Sequence, residues 1–181
     1  LRPDAGDRDT FEVLSRLDLR PGRYQLRLAA TVRGKAGSVY HDVDVPDFTA
    51  SPLSLSGVAI NADPAVASAP RDRLRQVIPL VPTARRDFAR TDRVTALLRV
   101  YQGGKKPLLP VVVTTRVVDG RDNEVFSQTD TLGQDRFGPA RAADYRAELP
   151  LVNLAKGPYL VSITATRGAL TAKRDVRITL R

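Results

Sequence analysis

Cysteine, methionine and tryptophan are all missing from these 181 residues, and there is a single histidine. Without cysteine there is no disulfide framework, no thiolate metal site and no thiol nucleophile. A core of this size needs no disulfides, so their absence leaves the compartment open. Aromatic residues are scarce, at five Tyr and five Phe, which leaves no stacking platform of the kind single-strand nucleic-acid binders use. No run approaches the roughly 18 apolar residues of a membrane-spanning helix. No segment carries a capped 3.6-residue period, which predicts almost no helix. The first residue is Leu rather than Met, and no signal peptide is visible. The expectation is a fragment or processed chain.

What the chain has in excess is positive charge: 29 Lys and Arg against 20 Asp and Glu, a net +9. Distribution matters more than the total. The basic residues are mostly single arginines, often beside Asp, as in Asp7-Arg8-Asp9 and Arg121-Asp122. Compact clusters occur only at Arg71/Arg73/Arg75, Arg85-Arg86 and Lys105-Lys106. This spread predicts solvated strand faces and loops rather than a nucleic-acid groove. It leaves attraction to an anionic polymer or surface as a second option.

One strand-turn-strand pattern occurs twice. The first copy runs Leu17-Asp-Leu-Arg-Pro-Gly22-Arg-Tyr24-Gln-Leu-Arg-Leu28, then Arg33-Gly34, then Asp42-Val-Asp-Val45. The second runs Val152-Asn-Leu-Ala-Lys-Gly157-Pro-Tyr159-Leu-Val-Ser-Ile163, then Arg167-Gly168, then Asp175-Val-Arg-Ile178. In each, a tyrosine stands two residues after a turn glycine and opens an alternating strand. That is the pattern of a β-sandwich corner, in which the ring is buried and the hydroxyl ties down the turn. Gly22, Tyr24, Gly157 and Tyr159 are therefore structural corner residues, and the repeat implies tandem units of one architecture.

Alternation predicts strands over 11–19, 23–32 and 38–45, with a hairpin loop at 33–37. These three strands form a partial immunoglobulin-like β unit over residues 1–47. Its missing strands lie either upstream or later in this chain. The Pro46–Pro52 stretch is a linker. Residues 48–181 then hold about seven strands, starting at Leu53–Ile60 and continuing at 93–101, 111–119, 124–132, 142–151, 159–166 and 170–180. That count matches an immunoglobulin- or fibronectin-III-like antiparallel β-sandwich, so the expected class is all-β. Residues 61–92 are irregular. The prolines in Val77-Ile-Pro-Leu-Val-Pro82 exclude a central strand, and Phe88 is placed to anchor the stretch.

Chemistry-bearing constellations are sparse. His41 has no second His or Cys with which to hold a metal, and no Gly-x-Ser-x-Gly elbow accompanies Ser56-Gly57. Asp42, Asp44 and Asp47 are the densest acidic cluster. They could serve calcium with loop carbonyls, but pairing with cross-strand Arg is the simpler account. Asp119-Gly-Arg-Asp-Asn-Glu124 lacks calcium-loop spacing and reads as a hairpin turn. Gly103-Gly-Lys-Lys106 lacks the earlier glycine and following Ser/Thr of a phosphate loop. Tyr40 and Tyr101 could stack on sugars but more simply cover sheet faces. No enzyme activity, cofactor or metal is expected. The loops at 102–107 and 133–141, the 61–92 segment, and specifically Lys105, Lys106, Arg85 and Arg86, are the candidate interaction sites.

The stretches Leu17 to Leu28, Gly37-Ser-Val-Tyr-His-Asp-Val-Asp-Val-Pro-Asp-Phe48 and Pro52-Leu-Ser-Leu-Ser-Gly-Val58, with the tail from Gly157, resemble the C-terminal β-rich region of bacterial von Willebrand factor A-related proteins. The family's Asp-x-Ser-x-Ser metal-adhesion motif and the α/β pattern of its A domain are not in this sequence, so no metal residue is carried over. What the resemblance implies is the accessory β-sandwich part of an exported, extracytoplasmic multidomain protein. Its expected partners are an upstream domain of the same polypeptide and another protein or envelope component. A carbohydrate- or anionic-polymer-binding module is the alternative.

Overall fold

The computed structural model describes residues 12–70, 74 and 76–181. The 1–10 segment, Phe11 and the Arg71/Arg73/Arg75 cluster lie outside the described residues.

The short strands β4 (Ser54–Leu55), β5 (Ala59–Asp63), β6 (Ser68–Ala69) and β7 (Asp87–Phe88) precede six long ones. These are β8 (Arg93–Tyr101), β9 (Val111–Asp119), β10 (Glu124–Leu132), β11 (Ala142–Leu149), β12 (Gly157–Arg167) and β13 (Leu170–Leu180). Near the N-terminus stand β1 (Glu12–Val13), β2 (Gly22–Val32) and β3 (Lys35–Val45). One sheet has the order β10-β9-β12-β13-β7. The other has β11 and β8, with β4 and β5 in succession along the far edge of β8. The protein is an all-β immunoglobulin-like sandwich, as the alternation predicts. Its helical pieces with both ends described are single 3-10 turns at Gln134–Arg136 and Leu151–Asn153.

In β8, β9, β11, β12 and β13 the apolar phase turns inward, since successive side chains alternate faces. Leu55, Ile60, Val100, Val113, Val161 and Ile163 are all fully buried in one core. Phe88 is 1% exposed and closes one end, so the irregular stretch is anchored as its single aromatic side chain predicts. Thr115 also points inward. Its hydroxyl pairs with the Tyr145 hydroxyl at 2.9 Å, joining the two sheets across the core.

Four local expectations differ from what is observed. Leu53–Ile60 is not one strand, because Ser56 interrupts it. The Ser56 Oγ takes the Arg99 N–H at 2.9 Å, a bond that a ladder carbonyl would otherwise accept. The loop at 33–37 shrinks to a two-residue turn. Arg33 and Gly34 both have positive φ (49° and 77°), the requirement of a type I′ hairpin turn. Arg in place of the usual Asn or Asp disguised it. The 11–19 strand reduces to Glu12–Val13, which pairs parallel with Ser68–Ala69 rather than with β2. The N-terminal unit is therefore a two-stranded hairpin, not a three-stranded sheet. Glu12 is held to the sandwich side, where its carboxylate accepts the Thr83 hydroxyl at 2.8 Å and the Ala84 N–H at 2.7 Å.

Candidate interaction surfaces

The two tyrosine corners are the same construction. Gly22 and Gly157 have φ of 151° and 148°. Tyr24 donates its hydroxyl to the Arg20 carbonyl at 2.9 Å, and Tyr159 donates to the Ala155 carbonyl at 2.9 Å. Each corner opens an 11-residue strand paired residue for residue with an 11-residue return strand. Gly22 faces Val45 and Tyr24 faces Val43; Gly157 faces Leu180 and Tyr159 faces Ile178. The surroundings differ. Tyr159 is buried at 7% exposure, whereas Tyr24 is only half covered. On the matching faces, Ile163 is fully buried while Leu28 is 61% exposed.

The hairpin β2–β3 leads into the sandwich through a latched linker. Phe48 stacks on Tyr101 with ring centroids 4.3 Å apart. Gly103 N–H donates to the Ser51 carbonyl at 2.9 Å, and Gly104 N–H to the Thr49 carbonyl at 2.7 Å. A Cβ on Gly103 would sit 2.5 Å from both carbonyl oxygens, so only glycine permits this approach. Asp47 caps the same bend. Its carboxylate accepts the Thr49 hydroxyl and the N–H groups of Thr49 and Ala50. The Thr49 hydroxyl, then its N–H, hold the Asp47 carboxyl below the usual carboxylate range.

The adjoining loop carries Lys105 and Lys106, both exposed. Gln102 braces it from a fully buried position. Its Nε2 donates to the Leu109 carbonyl at 2.7 Å, and its Oε1 accepts the Leu109 N–H and the Arg167 guanidinium. Arg141 donates to the carbonyls of Gln102 and Lys106, each at 2.6 Å. The two lysines thus sit on a rigid tip. Arg85 and Arg86 occupy the opposite end of the sandwich, beside Thr179 and Arg181 at the far end of the β12–β13 ladder, whereas Gln102 holds Arg167 at the near end. The separation is about 30 Å, from the nine steps between Leu170 and Thr179 at roughly 3.3 Å each.

Their chemistry differs too. Arg85 pairs with Asp92 at 2.6 Å and lies over the Phe88 ring at 4.9 Å. Arg86 donates to the carbonyls of Thr83 and Arg85. Both guanidiniums fasten the irregular stretch, and the pair does not join Lys105-Lys106 in one patch. Other arginines are used in the same way. Arg99 clasps Asp144 at 2.7 Å, Arg174 donates to the Leu55 and Ser56 carbonyls, and Arg90 donates to the Val152 carbonyl.

The acidic residues do not converge. Asp42 accepts from Gln25, Asp44 lies 4.0 Å from Arg23, and Asp47 is occupied by its bend. Among the described residues no group of three or more His, Asp or Glu is placed to hold a metal ion. His41 stands exposed on β3, and Tyr40 beside it lies under Arg27 at 4.8 Å. Asp119 closes the β9–β10 hairpin by accepting from Arg121 N–H, Asn123 N–H and the Asn123 amide, which keep its carboxyl below the usual range. The hairpin turn expected of this stretch is there, with its positive φ on Asp122 (62°) rather than on Gly120.

A polar groove of about 530 Å³ runs where the edges of β10 and β11 meet. Gln128, Asp130, Arg136, Asp144 and Arg146 line it around the Tyr145 hydroxyl. Asp130 accepts from that hydroxyl at 3.2 Å and from Gln128 at 2.8 Å. Burial pushes the Tyr145 phenol up. Sequence reasoning did not find Gln102, Arg141 or this groove. The only available signal was an alternating strand bearing Tyr145 in its apolar phase, a position that obliges the hydroxyl to find a partner.

No family model matches the chain, and no curated protein does. Solved structures are similar to it over 72–90% of its length, at low TM-scores. A Bacteroides fragilis protein assigned as a β-galactosidase is 11% identical with a TM-score of 0.46, covering 72% of this chain and 18% of that one. The C-terminal domain of wzt is 12% identical with a TM-score of 0.43, covering 90% and 82%. Parabacteroides merdae β-glucuronidase is 14% identical with a TM-score of 0.38, covering 81% and 15%. This chain thus spans under a fifth of either glycosidase, and what those proteins do is not carried over.

Proposed function

We propose that this chain is a non-catalytic structural and protein-interaction module of an exported multidomain bacterial protein, one that holds a projecting β-hairpin in a set position on a rigid sandwich. The observation that carries this reading is the latch. Two backbone hydrogen bonds, a ring stack and an Asx bend fix the linker at the point where the hairpin leaves. A hairpin meant to swing freely would have no use for a glycine that admits two carbonyls at contact distance. The arginines support the same reading, since they brace loops and irregular segments rather than converge.

The absence of native cysteine makes the test clean. Spin labels placed through Lys35→Cys at the start of β3, next to the hairpin turn, and Lys156→Cys on the sandwich should give a narrow distance distribution. Adding Gly103→Ala should broaden it. A broad distribution in the otherwise native chain would defeat the spacer reading.

The groove between β10 and β11 favours a second reading, binding of a carbohydrate chain. It combines hydrogen-bond donors and acceptors of both charges in a volume suited to one or two sugar rings. Titration with neutral and uronic oligosaccharides should shift the amide resonances of Gln128 and Arg146 under this reading. Unmoved resonances at millimolar sugar would remove it.

A further inference from the structure

We propose that the bare face of the β2–β3 hairpin is one half of a second immunoglobulin-like core, and that strands preceding it in the same polypeptide fill it. The inference rests on the reading of the chain as part of a multidomain protein.

The argument comes from the copy. β2–β3 and β12–β13 share corner glycine, corner hydrogen bond, strand length and register. In the second hairpin, the face bearing Tyr159, Val161 and Ile163 is buried in a core that it shares with residues of β4, β5, β8 and β11 in the other sheet. The free edge of β12 is taken by β9, from Tyr159 facing Asp119 to Thr166 facing Val112. Every one of those strands comes before β12 in the chain. The corresponding face of the first hairpin carries Tyr24, Leu26 and Leu28 on β2, with Val39 and Val43 on β3. Leu28 is 61% exposed and Val39 59%. The edge of β2 away from β3 has no partner strand among the described residues. A unit of the same plan therefore lacks a facing sheet and one edge strand, and the plan places both earlier in the chain.

A second copy of the chain is a poorer occupant. Two eleven-residue strands offer a face of about 36 by 10 Å, given roughly 3.3 Å per residue and 4.8 Å between strands. Face-to-face pairing of two hairpins would bury on the order of 700 Å² in total, below the roughly 1,200 Å² of a stable interface. Strands on the same polypeptide meet no such threshold, because the linkage supplies the effective concentration.

Hydrogen exchange tests this directly on two proteins: the 181-residue chain, and the same chain extended by about 100 residues of its natural upstream sequence, the length of one such domain. In the 181-residue chain, the amides of β2–β3 should exchange at least a hundredfold faster than those of β12–β13, at every protein concentration. In the extended protein the two hairpins should become comparably slow. Leu28→Asp should return β2–β3 to fast exchange without changing β12–β13, which also reports that the sandwich remains folded. Three results overturn the inference: fast exchange of β2–β3 in the extended protein, protection in the 181-residue chain that rises with concentration, or protection there at high dilution. The second assigns the face to another copy, and the third to the chain's own sandwich. A narrow spin-label distance together with a fast hairpin in the extended protein would defeat this inference and leave the spacer reading intact.

Discussion

The hairpins β2–β3 and β12–β13 are built alike and live differently. Each has a positive-φ glycine, a tyrosine tied to a carbonyl four residues back, and eleven paired positions closed by a two-residue turn. One is the centre of a five-stranded sheet over a buried core, and the other is a two-stranded ribbon exposed on both faces for most of its length. Local sequence suffices to set backbone path and register. It does not supply the burial that makes a hairpin stable, since an isolated two-stranded ribbon is marginal at best in water.

Matched substitutions give the largest contrast. Ile163→Ala should lower unfolding stability by about 2–5 kcal/mol, the usual cost of truncating a buried aliphatic side chain. Leu28→Ala, its counterpart, should change it by no more than about 0.5 kcal/mol, as exposed positions do. Urea denaturation of the 181-residue chain measures both. Equal effects would mean that the first hairpin is already packed.

Next comes the latch. Gly103→Ala forces a methyl group against two backbone oxygens, a strain typical of overpacking at about 1–3 kcal/mol. Limited proteolysis should then cut within 46–52 faster than in the native chain. Unchanged cleavage would show that the Phe48–Tyr101 stack alone secures the linker.

The corners themselves form a finer test. Tyr159→Phe removes a hydroxyl bond inside the fold and should cost about 1 kcal/mol, near the mean for such bonds. Tyr24→Phe breaks a bond of the same 2.9 Å length at a wetter site, where water replaces the donor, and should cost less than half as much. Thermal melts of the two single variants and the double variant separate them.

The smallest effects are expected from acid. Asp47 and Asp119 both have carboxyls held below the ordinary range by donors that bond the charged form. For such groups the stabilisation is present above the unfolded carboxyl's value near 3.8 and fades as pH drops through the lower folded value. Carbon-detected titration should show both midpoints below pH 3.8, with Thr49→Ala moving the Asp47 midpoint up and leaving that of Asp119 in place. A midpoint for Asp47 unaffected by Thr49→Ala would place its stabilising donors elsewhere. At the alkaline end the sign reverses for Tyr145. Burial favours its neutral form, so stability holds below pH 10 and falls as pH rises beyond it.

Much of this was legible in the chain. Alternation located the long strands within a few residues, the Asp119–Glu124 stretch marked a hairpin turn, and the glycine-tyrosine spacing marked both corners. The misses share a cause. Ser56 splits a strand because its hydroxyl meets Arg99, 43 positions away. Glu12 leaves the hairpin's side for Thr83, 71 positions away. Arg85 looks free in the sequence because nothing local announces Asp92 as its partner. Gln102 and Arg141 brace a loop through carbonyls that no side-chain pattern encodes.

Side-chain period and turn stereochemistry act over a few bonds, so the amino-acid order alone settled that this protein is all-β and that it contains the same corner twice. Which apolar stripe finds a cover, which arginine becomes a brace and which lysine stays free depend on groups brought together from far along the chain. Only the tertiary structure decides those, because burial and pairing are properties of neighbours in space.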